Sequence, residues 1–131
     1  MQDPAHVLPP NPDQTVILVV DDEVMIVDIA RIALEGDGHF VLTAQNGAEA
    51  LDLSQRFPGS IHLLVTDLQM PKMDGLELRE RFTGERPGAT VLLMSGKVDA
   101  PVADCPVLRK PFDVAVLKDR VRQLLSSSES A

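Results

Sequence analysis

The chain has 131 residues, 44% of them hydrophobic, with no Trp, no Tyr and four Phe. That length accommodates one domain with a real core, which must be aliphatic, and leaves little to stack on bases or flavin. The net charge of −8 disfavours nucleic acid as a partner, and the single Cys105 excludes an internal disulfide and fits a reducing compartment. No stretch approaches a membrane span and the N-terminus lacks a signal-peptide apolar core, so the expectation is a soluble, cytoplasmic protein with no membrane partner.

Residues 1–15 hold Pro4, Pro9, Pro10 and Pro12 and read as a disordered tail or linker. Residues 16–20 are an unbroken apolar run suited to a strand buried on both faces, and it stops at Asp21-Asp22-Glu23. Residues 24–34 switch to helical spacing, with Asp28, Arg31 and Glu35 on one wet stripe and Gly36 and Gly38 at the end. A second strand spans 40–44. Asn46 with Glu49 resembles a capping box for a helix to about Arg56. The third strand spans 61–67, and Asp74 with Glu77 caps a third helix that carries Leu78 and Phe82 on one face. Residues 90–94 form the fourth strand. After it, Gly96, Pro101 and Pro106 break the rhythm up to a short fifth strand at 107–109. Asp113 caps a last helix with Val114, Leu117, Val121 and Leu124 on its apolar face. The domain should cover 16–125, with 126–131 a polar, frayed tail. Alternation of strand and helix with short connections predicts an α/β fold with a parallel sheet and right-handed crossovers.

The chemistry gathers at strand ends. Asp67 closes the third strand, Asp21 and Asp22 follow the first, Ser95 follows the fourth and Lys110 the fifth. In an open α/β sheet that carboxyl edge is where ligands bind. Three acids there repel one another: unit charges ~4 Å apart cost about 4 kcal/mol at an effective dielectric near 20. Lys110 offsets one charge and a divalent ion two, and all-oxygen ligands favour Mg²⁺. Phosphoryl transfer makes the same demands, because its catalysis is mostly positioning and electrostatics. In this reading Asp67 accepts the phosphoryl group. Asp22, Asp67 and the backbone carbonyl of Gln69 hold Mg²⁺ (or Mn²⁺), with Asp21 assisting partly through water. Lys110 and the Ser95 hydroxyl meet phosphoryl oxygens. Each residue alone has a plain alternative: turn acids, a loop serine, a solvated lysine.

Together, Val-Val-Asp21-Asp22-Glu, Thr-Asp67-Leu-Gln-Met-Pro71-x-Met-Asp74-Gly75-Leu-Glu, Leu-Met-Ser95-Gly and Arg-Lys110-Pro111-Phe resemble the receiver domain of two-component response regulators. The resemblance covers residues 16–125. It implies a three-layer, doubly wound flavodoxin-like sheet of five parallel strands in the order 2-1-3-4-5. It also implies a Mg²⁺ requirement, a phosphodonor on a sensor histidine kinase or phosphotransfer protein, and signal passed by contact or phosphorelay. The domain would act only on its own phosphorylation and dephosphorylation. The bond before Pro111 would be cis, placing the lysine, and a side chain at Gly75 would crowd the backbone.

Two departures stand out. Fifteen positions separate Ser95 from Lys110, too few for the family's usual fourth helix, which should be missing or about one turn. Val107 stands where the family often has a switching Tyr or Phe. Output should therefore use another surface, the first helix or the loop Lys97–Asp104. Gln69 and Lys97 border the path of hydrolytic water in the family and would tune phosphoryl lifetime, unless both simply face solvent. A haloacid-dehalogenase-like phosphatase would need a second Asp where Gln69 stands. An FMN binder would need a phosphate loop where Asp21-Asp22-Glu23 repels phosphate. A receiver-like interaction module that is never phosphorylated is the third alternative.

Overall fold

The computed structural model of the protein describes residues 13–96 and 105–129, with side chains to Ser126. Strands β1 (Val16–Val20), β2 (Phe40–Ala44), β3 (Leu63–Asp67), β4 (Thr90–Ser95) and β5 (Val107–Arg109) form one parallel sheet in the order β2-β1-β3-β4-β5. Among the described residues there are four helices, α1 (Val24–Gly36), α2 (Gly47–Arg56), α3 (Gly75–Glu85) and α4 (Val114–Glu129). This is the expected doubly wound, flavodoxin-like architecture. The segment expected to lack its helix lies at residues 97–104, outside the described residues.

The pleat sorts the apolar runs into two cores. Val16, Leu18 and Val20 of β1, Leu64 of β3, and Val91 and Leu93 of β4 pack toward α2 and α3, around Leu53, Leu78 and Phe82. Ile17 and Val19, Leu63 and Val65, and Leu92 and Met94 point the other way, toward Ala30 and Leu34 of α1 and Leu117 and Val121 of α4. Both faces of the central strands are covered, which is why those strands read as unbroken apolar runs. No helix of the described residues is long and apolar enough to cross a membrane.

Local chemistry sets the boundaries. Asn46 Oδ1 accepts the Glu49 N–H at 2.8 Å, and Asp74 Oδ1 accepts the Glu77 N–H at 2.9 Å. Asp113 Oδ1 accepts the Ala115 N–H at 2.7 Å. Asn46→Ala should therefore lower unfolding free energy by about 1 kcal/mol. Urea denaturation checks this as a lower midpoint at unchanged slope.

Some boundaries differ from expectation; β4, for one, takes in Ser95 as its last residue. The third strand starts at Leu63, not at residue 61: His62 Nδ1 accepts the Val16 N–H at 3.0 Å, and the His62 N–H donates to Val16 O at 2.9 Å, so a side chain takes one ladder position. The last helix continues through Ser126 to Glu129, across residues expected to fray. Serine is only a moderately poor helix former, and a helix already seated on the core carries it.

Candidate functional site

Sheet order places the ends of β1, β3, β4 and β5 side by side. The chain leaves β1 toward β2 and returns on the other side to β3, so the crevice opens at the β1/β3 switch point, where such folds bind ligands. Val20 pairs with Thr66, which sets Asp21 next to Asp67. Asp21 is fully buried, Asp67 nearly so, and Asp22 is exposed. Ser95 ends β4, is buried, and its carbonyl accepts the Lys110 N–H at 2.7 Å. That bond fixes the start of the lysine side chain at the sheet edge.

Lys110 is not a solvated surface lysine: its side chain is 11% exposed. Its Nζ lies 2.6 Å from Asp21 Oδ2, 3.3 Å from Asp67 Oδ1 and 3.7 Å from Glu23 Oε1. Burial raises the pKa of Asp21 above the usual carboxylate range, against the pull of Lys110. Burial also raises Asp67, with the Asp21 charge adding to it, while Lys110 and the Gln69 N–H act the other way. Burial works against the Lys110 ammonium, but its bonds and charge contacts to Asp21 and then Asp67 prevail, and its pKa rises.

The acids fit a divalent cation. One carboxylate oxygen from each of Asp21, Asp22 and Asp67 lies within 4.8 Å of the others, an all-oxygen set of the kind hard cations take. Asp21 Oδ2 is buried, and the Lys110 ammonium 2.6 Å away is the partner the structure gives it. Asp22 also lines a groove of about 570 Å³ with Asn46, Pro71, Lys72 and Met73, so the cluster has an approach from solvent.

The remaining expected residues fall around this cluster. The Lys110–Pro111 bond is cis. A Cβ on Gly75 would collide with the Asp67 carbonyl oxygen, as expected from the loop. Val107 pairs with Leu93 and packs half-buried toward the α2/α3 core. Gln69 is exposed, and its N–H donates to Asp67. Lys97, and the loop Lys97–Asp104 proposed for output, lie outside the described residues. Sequence reasoning gave no role to Glu23, although it completes the acidic run after β1. The structure makes it the third acid within 4 Å of the lysine.

Helix α1 carries the expected wet stripe. Arg31 does bridge Asp28 and Glu35, at 3.9 and 3.1 Å. The core, however, fully buries only Val27, Ala30, Ala33 and Leu34, with Ile26 half-buried against it. Met25, Ile29 and Ile32 follow one another at helical spacing and stay 74%, 40% and 63% exposed.

The family profile described as the response regulator receiver domain matches residues 17–122. The response regulator receiver protein CpdR of Brucella abortus is 36% identical over 118 residues, covering 84% of this chain and 95% of CpdR. The alkaline phosphatase synthesis transcriptional regulatory protein PhoP of Bacillus subtilis is 31% identical over 122 residues, 88% of this chain, but the chain spans only about half of PhoP. A crystal structure of the receiver domain of the hybrid histidine kinase CckA superposes with a TM-score of 0.76 at 35% identity, covering 84% of this chain and 98% of that one. The matched span runs from the first residues of the sheet to the last helix and includes all the acids and the lysine gathered at its edge, and on these grounds the chain belongs to the response regulator receiver family.

Proposed function

We propose that Asp67 is the phosphoacceptor of this receiver, charged in the cytoplasm by a phosphohistidine on a sensor histidine kinase or phosphotransfer protein with Mg²⁺ or Mn²⁺ bound. The observation that carries this is the position of Lys110 Nζ, 3.3 Å from Asp67 and 2.6 Å from Asp21, with all three side chains largely buried. An Asp67 oxygen attacks phosphorus, the P–N bond to the donor imidazole breaks, and the histidine leaves with its electron pair. The Lys110 ammonium faces the charge that builds on the phosphoryl oxygens, and Ser95 offers its hydroxyl to another. A divalent ion held by Asp67 with these acids would supply the positive charge that offsets them and the phosphoryl group. Asp21, Asp22 and the Gln69 carbonyl complete its ligands in this reading.

The domain then acts as a signalling module whose only catalysis is its own phosphorylation and dephosphorylation. The exposed Met25, Ile29 and Ile32 stripe supports partner contact through α1. Incubation with acetyl phosphate and Mg²⁺, read by intact mass, should add one phosphoryl group to the wild-type chain and none to Asp67→Asn. Removing the metal with EDTA should abolish the gain. An unmodified wild type would favour the never-phosphorylated interaction module, and a modified Asp67→Asn would move the acceptor elsewhere.

A further inference from the structure

We infer that Glu23 is a positioning residue that restrains Lys110 and makes the domain discriminate against free, anionic phosphodonors. The inference rests on Asp67 as the acceptor. A lysine ammonium has three N–H donors, and three carboxylates stand within 4 Å of Nζ: Asp21, Asp67 and Glu23. Asp21 and Asp67 are buried, but the Glu23 side chain is 67% exposed at the rim. Its backbone is fixed there, because the Glu23 N–H donates to Asp21 Oδ1 at 2.9 Å and its carbonyl accepts the Ile26 and Val27 N–H groups of α1 at 3.1 and 3.2 Å. From that fixed backbone its carboxylate lies 3.7 Å from the lysine while solvent reaches most of the side chain.

The charge count shows what this does. Asp21, Asp22, Glu23 and Asp67 against Lys110 leave a formal charge of three negatives at the mouth, and a divalent ion reduces that to one. Without Glu23 the metal-loaded mouth would be neutral. A small dianion such as acetyl phosphate has no docking surface to offset the repulsion, and it must draw Lys110 from an acid that competes for it. A phosphohistidine held on a protein surface brings its own contacts and loses less. Rim charges act mainly on encounter and are screened by salt.

The experiment compares wild type with Glu23→Gln, which keeps the side-chain shape and the backbone bond. With acetyl phosphate, phosphoryl transfer moves phosphorus from the acetate oxygen to an Asp67 oxygen and releases acetate, and intact mass follows it. At saturating Mg²⁺ and low salt the variant should be phosphorylated roughly threefold faster or more, and the gap should narrow at high ionic strength. Glu23→Lys should go further. Mg²⁺ binding, followed by amide chemical shifts without any donor, should weaken in both variants, since a negative charge has left the site. An unchanged or slower rate in Glu23→Gln, or a rate gain that ignores salt, overturns the inference. A wild-type chain that takes no phosphoryl group overturns the Asp67 reading instead.

Discussion

Gly75→Ala should lower unfolding free energy by about 3 kcal/mol, near the upper end for forced overpacking. Gly75 opens α3 in the sharp return from the Asp67 strand, and its N–H donates to Leu68 O at 2.8 Å. A Cβ there would run into the Asp67 carbonyl oxygen and lie 2.8 Å from Leu68 Cα and 3.1 Å from Asp67 C. All three are backbone atoms, so no rotamer change relieves them. The loop cannot swing away either, because Leu68 N–H donates to Met94 O at 2.8 Å across the sheet. The glycine is there for closeness, not for an unusual dihedral. For a domain this size the loss should appear as a melting point lower by roughly 10 °C. The folded fraction should also accept phosphoryl slowly, because the displaced atoms belong to the acceptor residue itself. Gly84→Ala is the internal contrast: the same α3 helix offers nothing within 4 Å of a Cβ there, and that change should stabilise by about 0.5–1 kcal/mol. Equal effects at the two glycines would remove the steric argument.

What the chain order reveals depends on how local the cause is. β1, β3 and β4 are legible because burial on both faces leaves an unbroken apolar run. The caps at Asn46 and Asp74 are legible because donor and acceptor are three residues apart. Lys110 is legible as the cation that follows the fifth strand, but the cis bond to Pro111 has no such local signature, and only the likeness to the receiver pattern points to it. Helix α1 shows the limit of periodicity. It is apolar on more sides than the core uses, and the sequence does not say that Met25, Ile29 and Ile32 face outward while Ala30 and Ala33 face in. The third strand starts late because a histidine ring takes a ladder position, which no strand propensity encodes. Glu23 reaches Lys110 across 87 positions of chain, so its spacing carries no signal, and only its place in the acidic run hinted at it.

Arg86 is the strongest case of a long-range cause, and its loss should cost about as much as the glycine change. It ends α3, and its guanidinium reaches into the close of α2: Nε donates to Ser54 Oγ at 2.8 Å, Nη2 to Ser54 O and Phe57 O at 2.8 and 3.1 Å, and Nη1 to Gly59 O at 2.9 Å. The last carbonyls of a helix have no partner within it and carry the negative end of its dipole, so a cation there is doubly favoured. One side chain thereby joins the α2 end to the α3 end and anchors the loop that leads into β3. Burial lowers the Arg86 pKa, with Glu85 opposing, but an arginine remains charged throughout the working pH range. Arg86→Ala strands three partly buried carbonyls and a buried serine hydroxyl. Charge-assisted bonds are worth roughly 1.5–3 kcal/mol each, and water recovers much of that at a half-open site, so a net loss of about 3 kcal/mol is expected. Arg86→Lys should recover a minority of it, because a point charge cannot serve carbonyls spread over a planar fork. The clamp lies at the opposite end of the sheet from Asp67. Well below the melting point, phosphorylation of Arg86→Ala by acetyl phosphate should therefore proceed at the wild-type rate. A stable Arg86→Ala variant would mean that the four bonds contribute nothing net, and a stable fold with slowed phosphorylation would tie the clamp to the site instead.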